Sequence, residues 1–219
     1  MMEFDHDRRL ALTYVPAARR AAVEALWRLD LAFASVLSTG REPMISQIRL
    51  AWWREALEKL DRDGAPGEPV LQALASKVVG NGVGGEELSR MEEGWTILLS
   101  PDPLEPEALA RYAAARGGLL FRYTARLLGG ESDASIERGG EAWALIDLAR
   151  HSANAVDRAA AVQAARERSH GGRWPARLRP AGMLAMLAAR DAERGTEGWE
   201  EPGAPRRMLR MLQHRLTGF

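Results

Sequence analysis

The 219-residue sequence predicts an all-α fold. Apolar residues recur at spacings of three and four along almost the whole chain, which is the pattern of helices with one buried face. No stretch alternates apolar and polar residues with the β-branched enrichment that is typical of strands. Proline and glycine divide the chain into about eight segments of helical length. The length suits one domain over residues 1–219, with candidate mobile linkers at 168–173 and 195–205.

The first two predicted helices contain the most distinctive residues. One helix begins at Pro16, a favoured first-turn residue, and runs to about residue 40, with Trp27 and Phe33 on its apolar face. The second covers 43–61 and has apolar residues on two sides, including the adjacent Trp52 and Trp53, which point about 100° apart on a helix. We therefore expect the second helix to be central, with neighbours on both flanks.

The remaining helices are separated by clear breaks. We predict them over residues 70–79, 88–98, 106–129, 132–166, 183–190 and 205–216. Pro101-Asp102-Pro103 ends one of them. The glycine-rich segment 80–85 is interpreted as a connector, because it lacks the Lys-Ser/Thr and the preceding strand of a phosphate-binding loop.

Composition and charge exclude several classes of function. The chain has 30 basic and 30 acidic residues, so no global positive field exists to attract nucleic acid. With no cysteine, it can form neither disulfides nor thiolate metal sites. Its four histidines are scattered without metal-ligand spacing.

The location expected from the sequence is cytoplasmic. The longest uncharged stretches, 31–40 and 180–189, have 10 residues, whereas a membrane-spanning helix needs roughly 20. The acidic start at Met1–Asp7 lacks the basic and apolar regions of a secretory signal. We expect a cytoplasmic protein without a membrane span, with peripheral contact at the inner membrane surface as a further expectation.

The segment Gln47–Leu57 is a candidate site as well as a candidate core helix. Arg49 precedes Trp53 by one turn, so its guanidinium can lie along that ring and reach an anion or a carboxylate. Alternatively, this is a packed central helix whose arginines extend to the surface.

These residues resemble the squalene/phytoene synthase family. Residues Pro43 to Leu57 are similar to its Pro-x-x-x-Gln-Ile-Arg-Leu-x-Trp-Trp-Arg-x-x-Leu segment. Upstream, Tyr14–Arg20 and Ala25–Trp27 resemble its Phe-x-Pro-x-x-x-Arg and Ala-Leu-Tyr segments. Downstream, Ala108–Tyr112 with Gly118, Leu145–His151 and the closing helix Arg206–Phe219 fall in the family's order. The resemblance implies an isoprenoid-synthase-like helical bundle around a central cavity.

The resemblance also implies that the family's reaction requires metal ions. The family's synthases join two prenyl diphosphates head to head, and two facing helices each offer a pair of aspartates that bind magnesium. The ions neutralise the departing diphosphate. Aligned with the family, the first pair falls at Ala34 and Ser38 and the second at His151 and Ala155, so that all four carboxylates are missing.

One acid remains one turn before each lost pair, at Asp30 and Asp147. Asp30 lies in an apolar stripe, so we expect either an ion pair with an arginine such as Arg49 or a relocated metal ligand. Asp147, His151, Asn154 and Arg158 form a polar stripe that is either a solvated face or a pocket wall.

Three further residues, Tyr112, Gly118 and Arg150, complete the candidate pocket. Arg150 is kept from the family's second motif. The family's tyrosine-rich stretch before Gly118 is reduced here to Tyr112 and three alanines.

The last predicted helix is basic and amphipathic. Its named residues are Arg206, Arg207, Met208, Arg210, Met211 and Arg215. Such a helix can lie on an anionic membrane, dock on a partner or pack against its own domain.

The leading functional prediction is a non-catalytic family member that acts as a binding or assembly protein, with no catalytic residue, no metal and no cofactor. The resemblance reaches the branch implicated in assembling respiratory complex I, which implies an assembly role at the inner face of a bacterial membrane. The partner is then a prenyl lipid or a protein. The alternative is a divergent prenyltransferase or prenyl diphosphate binder that uses Mg²⁺, with Asp30, Asp147, Arg49 and Arg150 around the diphosphate.

Overall fold

The computed structural model describes residues 3–40, 42–100, 103–169 and 172–219, and within these ranges every regular element is helical. The all-α prediction is therefore confirmed. The first six helices are α1 (His6–Thr13), α2 (Ala17–Thr39), α3 (Pro43–Lys59), α4 (Pro69–Lys77), α5 (Gly85–Ser89) and α6 (Glu92–Ile97). The others are α7 (Pro106–Tyr112), α8 (Leu119–Leu127), α9 (Ala134–His151), α10 (Ala155–Arg168), α11 (Arg179–Arg194) and α12 (Pro205–Thr217).

Helix α1 was not predicted, because its sequence is short and polar. Isolated helices of this length are marginal in water, so tertiary contacts must stabilise it. The Asp5 side chain caps its N-terminus by accepting a hydrogen bond from the Arg8 backbone N–H at 2.8 Å. Asp7 and Arg8 are buried because each forms ion pairs with side chains of other helices.

Helix α3 begins where the sequence predicts, but it is not surrounded. Leu50, Trp53 and Leu57 are buried, whereas 64% of Ile48 and 47% of Trp52 are exposed. Helices α2, α5 and α6 pack against α3 and leave its other side to solvent. The expectation of neighbours on both flanks is therefore wrong.

The predicted helix over 106–129 is continuous but has a wide turn at its centre. Helices α7 and α8 are joined by a π-helical turn at Ala113–Gly118. There Gly117 lies against Gly140 of α9 so closely that a Cβ on Gly117 would be 2.1 Å from the Gly140 carbonyl oxygen. Such turns occur frequently at functional sites, and this one contains Arg116.

The predicted helix over 132–166 is broken in two. Helix α9 ends at His151, and the Asn154 side chain caps α10 by accepting from the backbone N–H groups of Val156 at 2.8 Å and Asp157 at 3.4 Å. Asn154 is therefore not part of a continuous polar stripe with Asp147 and His151. The prediction of a stripe across this point is wrong, because an N-cap competes with helix continuation.

The C-terminal helices pack on the rest of the chain. Helix α12 lies against α11 and α1, and its own Met211 is fully buried. The segment before α12 is attached by hydrogen bonds from Trp199 Nε1 to the Asp191 carbonyl at 3.0 Å and from the Gly203 N–H to Asp7 Oδ1 at 3.0 Å. The mobility expected of 168–173 and 195–205 stays a prediction.

Two predicted features fall outside the described residues. Pro101 and Asp102, in the predicted helix break, and His170 and Gly171, in the first candidate linker, are not described. Within the described ranges, no helix combines the length and apolar character needed to cross a membrane.

Candidate functional site

A central cavity of about 580 Å³ lies between α1, α2, α9 and α11. Part of its wall is apolar, with Leu31, Leu37, Trp95, Trp143, Ile146 and Leu187 among the lining residues. The other part is charged. The predicted cavity is therefore present, and its chemistry depends on how the charged side chains are paired.

Asp30 is fully buried behind the cavity wall and binds Arg116 through two bonds. Arg116 Nε donates to Asp30 Oδ1 at 2.8 Å and Arg116 Nη2 to Asp30 Oδ2 at 3.1 Å. Arg8 Nη1 adds a third bond to Oδ2 at 3.3 Å. The prediction of a buried ion pair is correct in kind, but the partners are Arg116 and Arg8 instead of Arg49.

Arg116 connects Asp30 with the second surviving acid. Its Nη1 lies 2.7 Å from Asp147 Oδ2 and donates to the Tyr112 hydroxyl at 2.5 Å. The guanidinium is stacked 4.2 Å from the ring centroid of Trp95 and 5.0 Å from that of Trp143. These contacts supply what a buried cation needs, namely counter-charges, hydrogen-bond acceptors and aromatic faces.

Arg8 completes a four-residue cluster that we call the arginine–aspartate network: Arg8, Asp30, Arg116 and Asp147. Arg8 Nη2 lies 3.9 Å from Asp147 Oδ1, and its guanidinium is 4.8 Å from the Trp143 ring centroid. Burial acts to raise the pKa of Asp147, but the charges of Arg116 and Arg8 outweigh it and lower the pKa to about 2. Both aspartates are thus neutralised by arginines of the chain itself.

A second ionic cluster connects the N-terminal and C-terminal helices along the same cavity. Arg207 of α12 lies 2.9 Å from Asp7 Oδ2 and 2.8 Å from Asp191 Oδ2. Arg150 Nη2 donates to the same Asp191 carboxylate at 2.9 Å and to the Glu200 carbonyl at 3.2 Å. Arg150 therefore lines the cavity as predicted, but it is already bound to a carboxylate.

Two residues of the predicted site, Arg49 and Trp53, line a different cavity. Arg49 Nη1 donates to Thr39 Oγ1 at 3.3 Å, and Arg49 and Trp53 line a second cavity of about 260 Å³. Trp53 packs edge-on against Phe33 at 6.0 Å. These two side chains are separated from the central cavity because α2 lies between the two cavities and contributes Leu31 to both.

The positions aligned with the family's aspartate pairs are split between the cavity and its exterior. Ala34 and Ser38 line the cavity, one turn apart on α2. His151 also lines it with a side chain that is 76% exposed, and its Nδ1 is 2.7 Å from the Asp147 carbonyl oxygen. Ala155 lies beyond the end of α9 and is exposed. Among the described residues, no group of three or more histidine, aspartate or glutamate side chains is arranged to hold a metal ion.

Gly118 lies outside the cavity lining. A Cβ there would be 3.6 Å from the Glu141 side chain, so this glycine is not needed for close packing at the site. The predicted pocket residues that do reach the cavity are Ala34, Ser38, Tyr112, Asp147, Arg150 and His151.

Most of the predicted membrane or partner face of α12 is used internally. Arg207 is buried, Arg210 Nη1 donates to Glu200 Oε2 at 2.6 Å, and Arg215 stacks 5.7 Å from the Tyr14 ring centroid. Arg206 and Met208 are exposed. The helix therefore packs against its own domain, while Leu209 and Leu216 are 68% and 78% exposed. Contact of this helix with a membrane or a partner stays a prediction.

Sequence reasoning missed Arg8, Arg116, Trp95 and Trp143. The spacing of Tyr112 and Arg116, one helical turn apart, is a signal that could have identified Arg116, because such residues share a face. Arg8 gives no such signal, since its partner Asp30 is 22 residues away and the helix carrying Arg8 was not predicted.

A model of the squalene/phytoene synthase family matches residues 1–192, which include α1 to α10 and nearly all of α11. No curated protein and no solved structure matches the chain.

Proposed function

The chain belongs to the squalene/phytoene synthase family, and we propose that it is a member that keeps the central cavity without the metal-dependent reaction. The observation that carries this proposal is the arginine–aspartate network. Asp30 and Asp147 are the acids that remain near the family's metal-binding positions, and Arg116 and Arg8 already bind both.

Magnesium would have to displace these arginines. Mg²⁺ requires several oxygen ligands in near-octahedral geometry, supplied in such sites by carboxylates, phosphates and waters. Releasing Asp30 to an ion would leave the buried Arg116 guanidinium without its bidentate partner, and breaking a buried pair costs about 3–5 kcal/mol. We therefore expect the network to exclude the ions that a synthase needs.

The end of α9 supports the same proposal. A continuous helix places the side chains at positions i and i+4 next to each other on one face. Here His151 is the last residue of α9 and Ala155 is the first of α10, so the second aligned pair no longer shares a face. The loss of the second metal site thus involves the backbone as well as the side chains.

The role that we propose is binding or assembly. The bound partner is either a prenyl lipid in the cavity or another protein. The resemblance to the complex I assembly branch gives the specific form, assembly of a respiratory complex at the inner face of a membrane. The exposed apolar residues Met44, Ile48 and Trp52 of α3 support such a role, because apolar patches of this kind mark contact surfaces.

The alternative is a divergent prenyltransferase or prenyl diphosphate binder, and two of the arginines predicted to bind its diphosphate are not available for that role. Arg49 lies outside the central cavity, and Arg150 is bound to Asp191. The proposed arrangement of Asp30, Asp147, Arg49 and Arg150 around one diphosphate is therefore not formed.

Turnover by the purified full chain tests the proposal. We expect no hydrocarbon product from farnesyl or geranylgeranyl diphosphate with millimolar Mg²⁺, under conditions in which an active family member gives product. Product that disappears in an Asp147→Asn variant would overturn the proposal in favour of the prenyltransferase. Product that persists in this variant would overturn it as well, and would assign the metal site to other residues.

A further inference from the structure

We propose that the central cavity binds an apolar isoprenoid with an uncharged head group, such as a prenyl alcohol, and discriminates against prenyl diphosphates. This inference deepens the proposed function and rests on it. It names the chemical class of the ligand from the charges and the apolar residues of the cavity wall.

The cavity wall has an excess of negative charge. Among the described residues, six carboxylates line it: Glu3, Asp5, Asp7, Asp147, Asp157 and Asp191. Four guanidiniums line it: Arg8, Arg116, Arg150 and Arg207. The formal excess is two negative charges, and Asp30, directly behind the wall, adds a third. A diphosphate entering without metal ions would meet repulsion that acts over several ångströms in a partly desolvated site.

Each of the four arginines lies against carboxylates of the chain, although the Nε and Nη2 groups of Arg8 make only ion contacts, 3.3 Å from Asp5 Oδ2 and 3.9 Å from Asp147 Oδ1. Arg116 and Arg8 bind Asp30 and Asp147, while Arg207 and Arg150 bind Asp191. Bidentate recognition of phosphate needs two parallel N–H donors of one guanidinium. At Arg8 a phosphate would have to take the place of the Asp5 and Asp147 carboxylates, which already lie beside those donors.

The apolar part of the wall suits a hydrocarbon chain. Leu31 and Leu37 of α2 face the same space as Ile146 of α9 and Leu184 and Leu187 of α11. A volume of about 580 Å³ lies within the usual range of small-molecule sites. Burying apolar surface there stabilises a complex without any charge on the ligand.

Binding of matched probes to the full chain tests the inference. Farnesol and farnesyl diphosphate carry the same hydrocarbon chain and differ in the head group. Calorimetry compares their binding in a mildly alkaline buffer, in which imidazole side chains are ordinarily neutral. We expect farnesol to bind, and farnesyl diphosphate without metal to bind at least about tenfold more weakly at low salt. The difference should shrink as salt screens the wall charges.

A charge-reversal variant at the cavity provides the matched comparison. Glu3 lines the cavity and is exposed, whereas Glu55 is exposed on α3, away from it. Glu3→Arg should tighten diphosphate binding several-fold and leave farnesol binding unchanged. Glu55→Arg makes the same change in net charge and should alter neither affinity.

The inference is overturned if farnesol does not bind, if the diphosphate binds at least as tightly, or if both variants shift the diphosphate affinity equally. These outcomes differ from failure of the proposed function, which is read from product formation. A diphosphate that binds tightly but is not converted would contradict this inference alone.

Discussion

At the scale of single residues, Arg116 connects the surviving acids of two helices. Its guanidinium bridges Asp30 of α2 and Asp147 of α9 and is enclosed by two tryptophan rings. Burial acts to lower the pKa of Arg116, but the nearby aspartates outweigh it and hold the pKa well above its usual range. The residue is therefore a permanent cation in the wall of the cavity.

Replacing Arg116 with methionine is expected to destabilise the protein by about 3–5 kcal/mol, because Asp30 is left buried with Arg8 as its remaining ionic partner. Chemical denaturation measures the loss. Arg111→Met is the control, since Arg111 forms an exposed pair with Glu93 and should cost less than about 1 kcal/mol. Adding Asp30→Asn to Arg116→Met should recover part of the loss. Equal losses for Arg116 and Arg111 would contradict the network's role.

We expect the buried His214 of α12 to make the stability of the fold depend on pH. Burial, together with the charge of Arg179, lowers its pKa below the ordinary value of 6.5. Neither ring nitrogen has a hydrogen bond of good geometry among the described residues, although the Phe219 backbone is near. The folded state therefore favours neutral His214, so its contribution is complete above pH 6.5 and is lost as the pH falls below that value.

We expect His214→Phe to remove part of the stability loss seen when denaturation midpoints are measured at decreasing pH. His6→Gln is the control, because His6 is exposed. A wild-type acid dependence that His214→Phe leaves unchanged would show that His214 is not its source.

At the scale of elements, the contact between the π-helical turn and α9 fixes the position of Arg116. Gly117 and Gly140 lie backbone to backbone, and a Cβ on Gly140 would be 2.2 Å from the Gly117 carbonyl oxygen. No side chain longer than hydrogen fits between these helices without moving them apart.

Gly140→Ala should therefore destabilise the protein by about 1–3 kcal/mol or more through overpacking. Gly118→Ala is the matched control, since its Cβ would make ordinary contacts, 3.6 Å from the Glu141 side chain and 3.9 Å from the Ala113 carbonyl oxygen. That substitution should be neutral or should stabilise by up to about 1 kcal/mol, because alanine favours helices over glycine. Thermal unfolding compares the two, and equal shifts would contradict the close helix contact.

The adjacent tryptophans of α3 should behave differently. Trp53 is buried against Phe33, whereas Trp52 is half exposed and touches Trp53 edge-on at 5.4 Å. Trp53→Ala should cost about 3–5 kcal/mol and Trp52→Ala less than about 1 kcal/mol, as measured by denaturation. A large loss for Trp52 would restore the original expectation of a helix covered on both sides.

Periodicity was sufficient to predict most elements but not their environment. The start of α3 at Pro43 follows from helix-start rules, yet the pattern of Trp52 and Trp53 fits either a surrounded helix or one with an exposed apolar face. The break at Asn154 was missed because an N-cap residue is also acceptable on a polar helix face.

The site could be predicted only where its residues are close in sequence. Aligning the family's aspartate positions gave Ala34, Ser38 and His151, which do line the cavity. The partners of Asp30 could not be derived, since Arg116 is 86 residues away and any of the chain's many arginines would satisfy the same pattern.

At the scale of the whole molecule, both ionic clusters connect distant parts of the chain around one cavity. The Asp7–Arg207 contact spans 200 residues and attaches α12 to α1, while the arginine–aspartate network joins α1, α2 and α9. Charge pairs between distant parts of the chain thus connect the helices that form the cavity wall.

Counting bound metal ions tests this account most directly. Mn²⁺ is a paramagnetic ion with the same preference for oxygen ligands as Mg²⁺, and electron paramagnetic resonance measures how much of it is free. In the presence of an unreactive farnesyl diphosphate analogue, we predict that the free Mn²⁺ signal is unchanged by the protein. Stoichiometric loss of that signal, reversed by Asp147→Asn, would contradict the account.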